Sequence, residues 1–317
     1  MPLSLRCAIR WMSYPLVFGS STAFMIWALY TGVPSWPIMP LVAAVGLLVI
    51  AGLERLQPFR EAWLEDHHDT TTDLLHMLIN LSVIQFTAEI LAKLGDAVPA
   101  SVRLFPIESP LWLQLVLVAF VLDLSLYAMH RISHRVHWLW RFHMIHHSAE
   151  RLYWMNGERR HPLHAALMAG PGLVVLLASG APSAVIATWF SILTVHLAFQ
   201  HSNLDYSLGW LRSVIGVAET HRWHHKREFE DAQVNFGEFL LLWDHLFGTF
   251  YHGADKLGDA QVGLQERDYP TGYCAQLVAP FSVHAEDMPG MKIGRDGRNA
   301  DEAGYEAGSG IKSRGYD

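Results

Sequence analysis

The sequence predicts an all-α fold: a polytopic bundle of membrane helices with a histidine-rich, metal-binding cap on its cytosolic side. Of the 317 residues 51% are hydrophobic and only 17% are charged, whereas about 25% are charged in an ordinary soluble protein. Several uncharged stretches are long enough to cross about 30 Å of hydrocarbon as helices. The chain also contains 19 histidines, and about half of them stand in short, regularly spaced groups.

Composition and charge argue against several classes of protein. The high apolar content argues against a disordered chain. The net charge of −7 provides no long-range basic field, so we expect no nucleic-acid partner. The two cysteines, Cys7 and Cys274, lie near opposite ends and form no Cys-x-x-Cys pair. This arrangement argues against a thiolate zinc site and a thioredoxin-like redox pair.

Residues 1–54 are interpreted as an N-terminal transmembrane hairpin. Residues 11–31 are uncharged and follow Arg6 and Arg10, and a second apolar run covers residues 38–53. A cleaved signal peptide is the alternative interpretation of the first run. It is less favoured because the run is long for a signal peptide and no small-x-small cleavage site follows it.

Further apolar segments follow in the middle of the chain. Residues 74–94 mix apolar and polar side chains, which indicates a partly buried helix or one at the membrane interface. Residues 111–129 are a strong candidate for a membrane-spanning helix and carry a single charge, Asp123. An ionisable group inside such a span is a candidate functional residue. Residues 165–179 and 184–200 are each short for a full crossing, so they are expected to form a tight hairpin or a re-entrant pair.

Arginine clusters around the histidine groups predict the orientation, and we interpret most of these arginines as interfacial anchors. By the positive-inside rule they face the cytoplasm, in a multi-pass protein of the cell inner membrane or the endoplasmic reticulum. Beyond residue 251 the chain turns polar and glycine-rich, so residues 256–317 are expected to be a disordered tail. The basic residues are Arg131, Arg135, Arg141, Arg151, Arg159, Arg160, Arg212, Arg222, Lys226 and Arg227.

Three histidine groups have the spacing of a metal site: HRISH (130–134), HMIHH (143–147) and HRWHH (221–225). Residues at i, i+3 and i+4 share one face of a helix, so their imidazoles can converge on one ion. These eight histidines, with His161 and His201 between the groups, are too many for one ion and fit two metals with four or five imidazoles each. Imidazole binds zinc, copper, iron and nickel, so the ligand type leaves the metal open.

Two aspartates and several further histidines lie outside these groups. Asp123 lies one to two helical turns before the first group, where it is expected to orient a ligand imidazole through the second ring nitrogen. Asp244 is assigned the same role, with a helix cap or salt bridge as an equal alternative. His196 lies five residues before His201, which is wrong for a shared helix face. Ordinary structural roles are expected for His67, His68, His76, His137, His245, His252 and His284.

These motifs resemble the fatty acid hydroxylase/sterol desaturase superfamily of integral-membrane di-iron oxygenases. The family pattern HxxxH, HxxHH and HxxHH is matched by the three groups. The flanking residues are similar as well, and the resemblance covers about residues 55–255, the predicted catalytic domain. The similar flanking segments are the stretch D-x3-Y-x2-HR from Asp123 to Arg131, WRFHMIHHS at 140–148, HPL at 161–163, FQHSN at 199–203 and NFGEFLLLWDHLFGTF at 235–250.

The resemblance implies a di-iron centre, O2 as co-substrate and a lipid substrate taken from the bilayer. It also implies an electron donor, such as a ferredoxin or a cytochrome b5-like protein with an NAD(P)H reductase. His161 matches the family's His-Pro as a tenth ligand or a neighbour of the ligands. His164 stands where relatives often carry an acidic residue, which implies a ligand swap or an altered environment there. The implied iron ligands are His130, His134, His143, His146, His147, His201, His221, His224 and His225.

The expected activity is O2-dependent hydroxylation or desaturation of a sterol, fatty acyl chain, carotenoid or ether lipid in lipid biosynthesis or metabolism. Side-chain acid–base chemistry does not attack an unactivated C–H bond, which requires an oxidant built from O2 at a redox metal. A zinc-dependent membrane lipid hydrolase is the first alternative, although the chain lacks an HExxH motif. A non-enzymatic metal transporter is the second, but its ligands would lie within the spans, whereas these histidines flank them.

Overall fold

The computed structural model describes residues 1–96, 104–253, 261–265 and 269–282. In this part of the chain the regular structure consists of α-helices and short 3₁₀ turns, with isolated β-bridges but no strand. The predicted all-α fold is therefore confirmed. The helices are α1 (Leu3–Tyr30), α2 (Ser35–Leu56), α3 (Thr70–Asp96), α4 (Leu111–Arg135), α5 (His137–His147), α6 (Pro162–Ser179), α7 (Ser183–His201), α8 (Ala218–His224), α9 (Leu242–Phe247) and α10 (Tyr273–Ser282).

Five of these helices, α1, α2, α4, α6 and α7, are long and apolar enough to cross a membrane. The last two have 18 and 19 residues, about 27 Å of helix each, so the structure extends both predicted short segments to nearly full crossing length. Large apolar side chains such as Leu48, Trp112 and Val174 are exposed on the outside of the bundle. Such faces are stable against lipid, and the chain is a multi-pass membrane protein.

Proline and glycine define where the membrane helices begin and end. Pro34 and Pro110 precede α2 and α4, and Pro162 is the first residue of α6, where its missing N–H costs no helical hydrogen bond. Gly180 ends α6 with φ of +88°, a left-handed conformation that glycine adopts without steric cost. The tight α6–α7 connection follows from this pairing of Gly180 with Pro182.

The helices pack in two groups that share α7. α1 and α2 pack with α7, and α6 packs between α3 and α4. The core between them is formed by fully buried apolar side chains, among them Ile50, Val118, Leu122, Leu173 and Val195. This packing aligns the long helices.

Replacing Gly172 by alanine is expected to lower the free energy of unfolding by about 1–3 kcal/mol, the usual cost of overpacking. A Cβ there would lie 2.9 Å from Cβ of Ser125 and 3.0 Å from Cδ2 of Leu122, both on α4. Thermal unfolding in detergent measures the effect. Gly170→Ala on the same helix is the matched control, because its added Cβ meets no atom within 4 Å. Equal unfolding temperatures for the two variants would contradict this account of the α4–α6 contact.

One end of the bundle gathers the ends of α1, α2 and α7. Gln57, directly after α2, donates hydrogen bonds to the backbone oxygens of Arg6 and Asp205 at 3.2 and 2.9 Å. Its neighbour Phe59 donates to the carbonyl of Asn203 at 2.7 Å. Because α7 ends at His201, these contacts define the histidine-rich end of the bundle.

The expected polar tail differs from the structure at residues 273–282, which form α10. This helix packs on α5 and α3, with Phe281 against Phe142 and the Gln276 side chain 2.8 Å from Nε2 of His76. The segment YCAQLVAPFS is locally apolar, so burial of this short stretch outweighs the polar composition around it. Of the other tail residues, 261–265 and 269–272 are described, with Val262 and Leu264 buried, whereas 256–260, 266–268 and 283–317 lie outside the described residues.

Candidate metal centre

Four elements bring the predicted ligands together at the histidine-rich end. The last two turns of α4 carry His130 and His134. At Val136, between α4 and α5, the backbone is extended (φ −99°, ψ 112°), and this bend turns α5 back toward α4. His201 is the last residue of α7, and α8 with the residue after it supplies the third motif. The nine converging histidines are His130, His134, His143, His146, His147, His201, His221, His224 and His225.

These nine histidines form two groups, one of five and one of four, and every member is buried. Within each group the candidate ligand atoms all lie within 4.8 Å of one another. The first group contains His130, His134, His143, His147 and His224; the second contains His146, His201, His221 and His225. Each group thus brings together as many imidazoles as the sequence predicts for one metal ion.

Distances between ring nitrogens fit metal coordination. In the first group Nε2 of His147 lies 3.1 Å from Nε2 of His134 and 3.2 Å from that of His143. In the second group Nε2 of His201 lies 3.3 Å from that of His146 and 3.1 Å from that of His221. Two imidazole nitrogens bound about 2.0–2.1 Å from one ion would be roughly 2.8–3.4 Å apart, from adjacent octahedral to tetrahedral geometry.

Backbone carbonyls hold three of the rings in the orientation that ligation requires. Nδ1 of His130, His201 and His224 each lies 2.9 Å from a carbonyl oxygen. A proton on Nδ1 leaves the lone pair on Nε2 facing the group. For His130 and His224 that buried Nε2 has no hydrogen-bond partner among the described residues, and a bound cation would supply the missing interaction. The acceptors are the carbonyls of Phe236, Leu197 and Val234.

Burial also favours the neutral form of the imidazoles. Desolvation is the first cause that lowers the pKa of the histidines on α5 and α8 well below its ordinary value, and neighbouring histidines lower it further. Because a metal binds the neutral imidazole and competes with the proton, the environment keeps these rings ready for ligation at neutral pH.

The predicted role of Asp123 is wrong: among the described residues its carboxylate makes hydrogen bonds to backbone amides and an indole, not to an imidazole. It accepts hydrogen bonds from the backbone N–H of Phe239 and Leu240 at 3.0 and 3.3 Å, and from Nε1 of Trp243 at 2.9 Å. The loop after Phe236 folds over α4, so its backbone amides contact the carboxylate of Asp123 in place of an imidazole. Asp123 anchors this loop.

Asp244 acts on the same loop rather than directly on a ligand. Its carboxylate accepts hydrogen bonds from the backbone N–H of Phe236 and Gly237 at 2.9 and 2.8 Å, and from Oγ1 of Thr249 at 2.6 Å. These contacts with loop groups match neither direct orientation of an imidazole nor the alternative of a helix cap or salt bridge, since the N-cap of α9 is Leu241. Because the carbonyl of Phe236 accepts from His130, Asp244 positions a ligand through one intervening residue.

His161 and His164 do not join either group. His161 begins α6 as its N-cap: Nδ1 accepts from the N–H of Leu163 at 3.1 Å, and Nε2 lies 3.3 Å from the carbonyl of Leu277 on α10. The structure therefore does not support it as a tenth ligand, because both ring nitrogens are engaged elsewhere. His164 contacts Oγ of Ser133 at 2.9 Å, and its ring centre lies 4.9 Å from that of His143. It is a neighbour of the ligands.

Several arginines expected to be interfacial anchors are instead internal. Arg151, Arg159, Arg160 and Arg222 are buried. Arg151 and Arg159 pair with Asp69 and Asp73 of the α3 region, and Arg222 donates to the carbonyls of Ser202 and Leu204. A buried guanidinium is stable only when its charge and N–H groups are satisfied. These residues fix the loops around the histidine groups.

The sequence did not reveal the ion pair of Glu238 with Arg160, which lies beside the first histidine group. Glu238 is 2% exposed, its carboxylate lies 3.5 Å from Nδ1 of His130, and it pairs with Arg160 at 3.1 Å. The signal in the sequence was Glu238 itself, an acid that lies between Phe236 and Phe239 in the NFGEF segment. Together with Glu158, this pair forms the polar end of a cavity of about 50 Å³ between α3, α4, α6 and α7.

Comparisons with known proteins agree with this site. The model of the fatty acid hydroxylase family matches residues 115–249, which include all nine converging histidines. The ornithine lipid hydroxylase of Rhizobium tropici is 31% identical over 247 residues, 74% of this chain and 72% of that protein. No solved structure is significantly similar to the chain.

Two further relatives match over shorter stretches. The alkylglycerol monooxygenase of Danio rerio is 28% identical over 138 residues, 43% of this chain and 30% of that protein. A fatty acid hydroxylase of Lecanicillium is 30% identical over 175 residues, 49% of this chain and 46% of that protein. The chain spans less than half of each of these two relatives. The match to the ornithine lipid hydroxylase covers most of both chains, and the family model covers the histidine groups. This chain therefore belongs to the fatty acid hydroxylase family.

Proposed function

We propose that this protein is a membrane-bound, O2-dependent lipid hydroxylase with a di-iron centre. The observation that carries the proposal is the pair of buried histidine groups, in which the ring nitrogens approach one another to 3.1–3.3 Å. Two groups of this kind exceed what one catalytic zinc needs, which is three protein ligands. A mononuclear zinc hydrolase is therefore disfavoured.

Each group would hold one iron ion through Nε2 atoms. Iron bound there supplies the redox chemistry with O2 that amino-acid side chains lack. The protein orients the ligands through the carbonyls of Phe236, Leu197 and Val234. Burial of every ligand keeps bulk water from the site, and the adjoining cavity presents the substrate to it.

The substrate is proposed to be a polar membrane lipid, and the reaction hydroxylation rather than desaturation. The relatives named above are called hydroxylases or monooxygenases, and the relative that matches over most of its length acts, by its name, on ornithine lipid. An ornithine-type aminolipid is accordingly the first candidate. The cavity is small, so side chains must move to admit an acyl chain, which is consistent with entry from the bilayer between helices.

The histidine-rich end is proposed to face the cytoplasm and to receive electrons there. Exposed arginines at this end, such as Arg6, Arg55 and Arg135, support this orientation by the positive-inside rule. Hydroxylation by O2 consumes two electrons beyond those of the C–H bond, which a ferredoxin or a cytochrome b5-like protein with its NAD(P)H reductase would supply.

The function is tested by metal analysis and oxygen labelling. Purified protein in phosphatidylcholine nanodiscs is assayed with ornithine lipid, an alkylglycerol and a free fatty acid, an electron-donor system and isotopically labelled O2. We expect two irons per chain and one labelled oxygen in a hydroxylated lipid, detected by mass spectrometry. Active protein with one zinc and no iron, or products whose new oxygen comes from water, would overturn the proposal in favour of a hydrolase.

A further inference from the structure

Glu158 is a buried acid that the proposed metal chemistry does not use. It ends the 3₁₀ turn Asn156–Glu158, and its backbone carbonyl accepts a hydrogen bond from Nδ2 of Asn80 at 2.8 Å. The residue is 9% exposed and lines the cavity beside the histidine groups. Among residues 1–96, 104–253, 261–265 and 269–282 no hydrogen bond or ion pair within ordinary distance reaches its carboxylate.

Arg160, whose charge acts on Glu158, is paired with another acid. Nη2 of Arg160 pairs with Glu238 at 3.1 Å, and Nε of the same side chain donates to the carbonyl of Gly157 at 2.9 Å. Only one of the two carboxylates is thus paired with the guanidinium, and the formal charge at this end of the cavity is negative when both acids are ionised. Burial raises the pKa of Glu158, whereas the charge of Arg160 opposes that rise. A buried carboxylate without a partner is costly, so a bound cation would complete the site.

The rest of the cavity is lined mainly by apolar side chains, which would have to move apart to admit an acyl chain. Its walls carry Leu81 of α3, Leu126 of α4, Met168 of α6, and Phe190 and Leu193 of α7. On α7 the cavity extends from Phe190 to Leu197, and Phe190 lies eleven residues before His201, about 16 Å along the helix. The apolar walls thus lie at membrane depth, and the charged end lies at the depth of the histidines.

The charged end adjoins the four-histidine group directly. Gly157, the residue before Glu158, packs so closely on α7 that an added Cβ would lie 3.2 Å from Nδ1 of His201. A lipid lying in the cavity would therefore place the junction between its chain and its polar group next to the metal centre. Its headgroup would point in the same direction as those of the surrounding lipid leaflet.

We propose that Glu158 determines substrate specificity by binding the ammonium group of an aminolipid whose acyl chain occupies the apolar part of the cavity. An ammonium is a compact charge with three N–H donors, which suits a narrow site with one free carboxylate. The inference rests on the proposed function and assigns the head end of the lipid, rather than the far end of its chain, to the metal centre.

Lipid binding without turnover tests this assignment. Iron-loaded protein in phosphatidylcholine nanodiscs, kept free of O2, is titrated with ornithine lipid and with its N-acetylated derivative, in which a neutral amide replaces the ammonium. We expect the wild type to bind ornithine lipid about tenfold more tightly or better, the effect of a charge-assisted hydrogen bond. Glu158→Gln should abolish this preference, Glu158→Asp should retain part of it, and Glu150→Gln, at an exposed acid, should leave it unchanged.

Iron content is measured on every variant to separate specificity from structure. Equal wild-type affinity for the two lipids, or a preference that survives in Glu158→Gln, would overturn the proposal. If Glu158→Gln and Glu158→Asp both lost iron, and if their affinities for the two lipids fell equally, Glu158 would have a structural role instead. Failure of the proposed function looks different, since labelled oxygen would then be missing from every lipid whatever the binding preference.

Discussion

Replacing His146 by alanine is expected to abolish iron binding at the four-histidine group and to lower lipid hydroxylation by at least about 100-fold. Loss of a partner that only orients a ligand already costs roughly 10–100-fold in metal affinity or activity, and loss of a ligand costs more. Nε2 of His146 lies 3.3 Å from that of His201, and its ring centre lies 4.6 Å from that of His225. The measured iron content should fall from two ions per chain to about one.

His67→Ala is the control for this experiment. His67 lies outside both groups and is partly exposed, with Nδ1 4.0 Å from the carboxylate of Glu150, so the iron content and the rate should match those of the wild type. Normal expression with retained product formation in His146→Ala would show that His146 is not a ligand. Both variants are compared by iron per chain and by labelled oxygen in the product.

Replacing Arg160 by methionine is expected to lower the free energy of unfolding by about 3–5 kcal/mol, the usual cost of removing one partner of a buried ion pair. The change leaves the carboxylate of Glu238, which is 2% exposed, without its guanidinium partner. Thermal unfolding in detergent measures the loss. The double variant Arg160→Met, Glu238→Gln should recover part of the stability, because it removes the uncompensated charge as well.

The ion pair between Arg10 and Asp205 provides the matched control. Its N···O distance is 3.0 Å, similar to that of Arg160 and Glu238, but its side chains are 40% and 32% exposed. Arg10→Met should cost no more than about 1 kcal/mol, since water screens an exposed pair. If Arg160→Met and Arg10→Met unfolded at the same temperature, burial would not be the source of the effect.

Local patterns predicted the elements that carry the centre. The apolar run at 111–129, with the single charge of Asp123, predicted α4, and the spacing of HxxxH predicted that His130 and His134 share one face of a helix. These features are readable because helix length and side-chain direction depend on nearby residues only. The resemblance to the fatty acid hydroxylase/sterol desaturase superfamily, based on the motifs around the same histidines, is confirmed by the family match.

Long-range contacts were not predictable in the same way. Asp123 meets the amides of Phe239 and Leu240, more than a hundred positions along the chain, so its role depends on where the loop folds. His161 has the motif of a ligand, but it serves as the cap of α6 beneath α10. Arg160 carries the same charge as a surface arginine, and only its burial against Glu238 reveals its role.

The sequence by itself determined that this protein has apolar membrane helices and three histidine motifs on helical faces. Only the tertiary structure decided how those motifs divide between the two histidine groups. His143 and His147 belong to one group, while His146, from the same motif, belongs to the other. Successive residues of a helix point about 100° apart, so His146 and His147 diverge. The position of α7 and α8 beside α5 then determines which partners each imidazole meets.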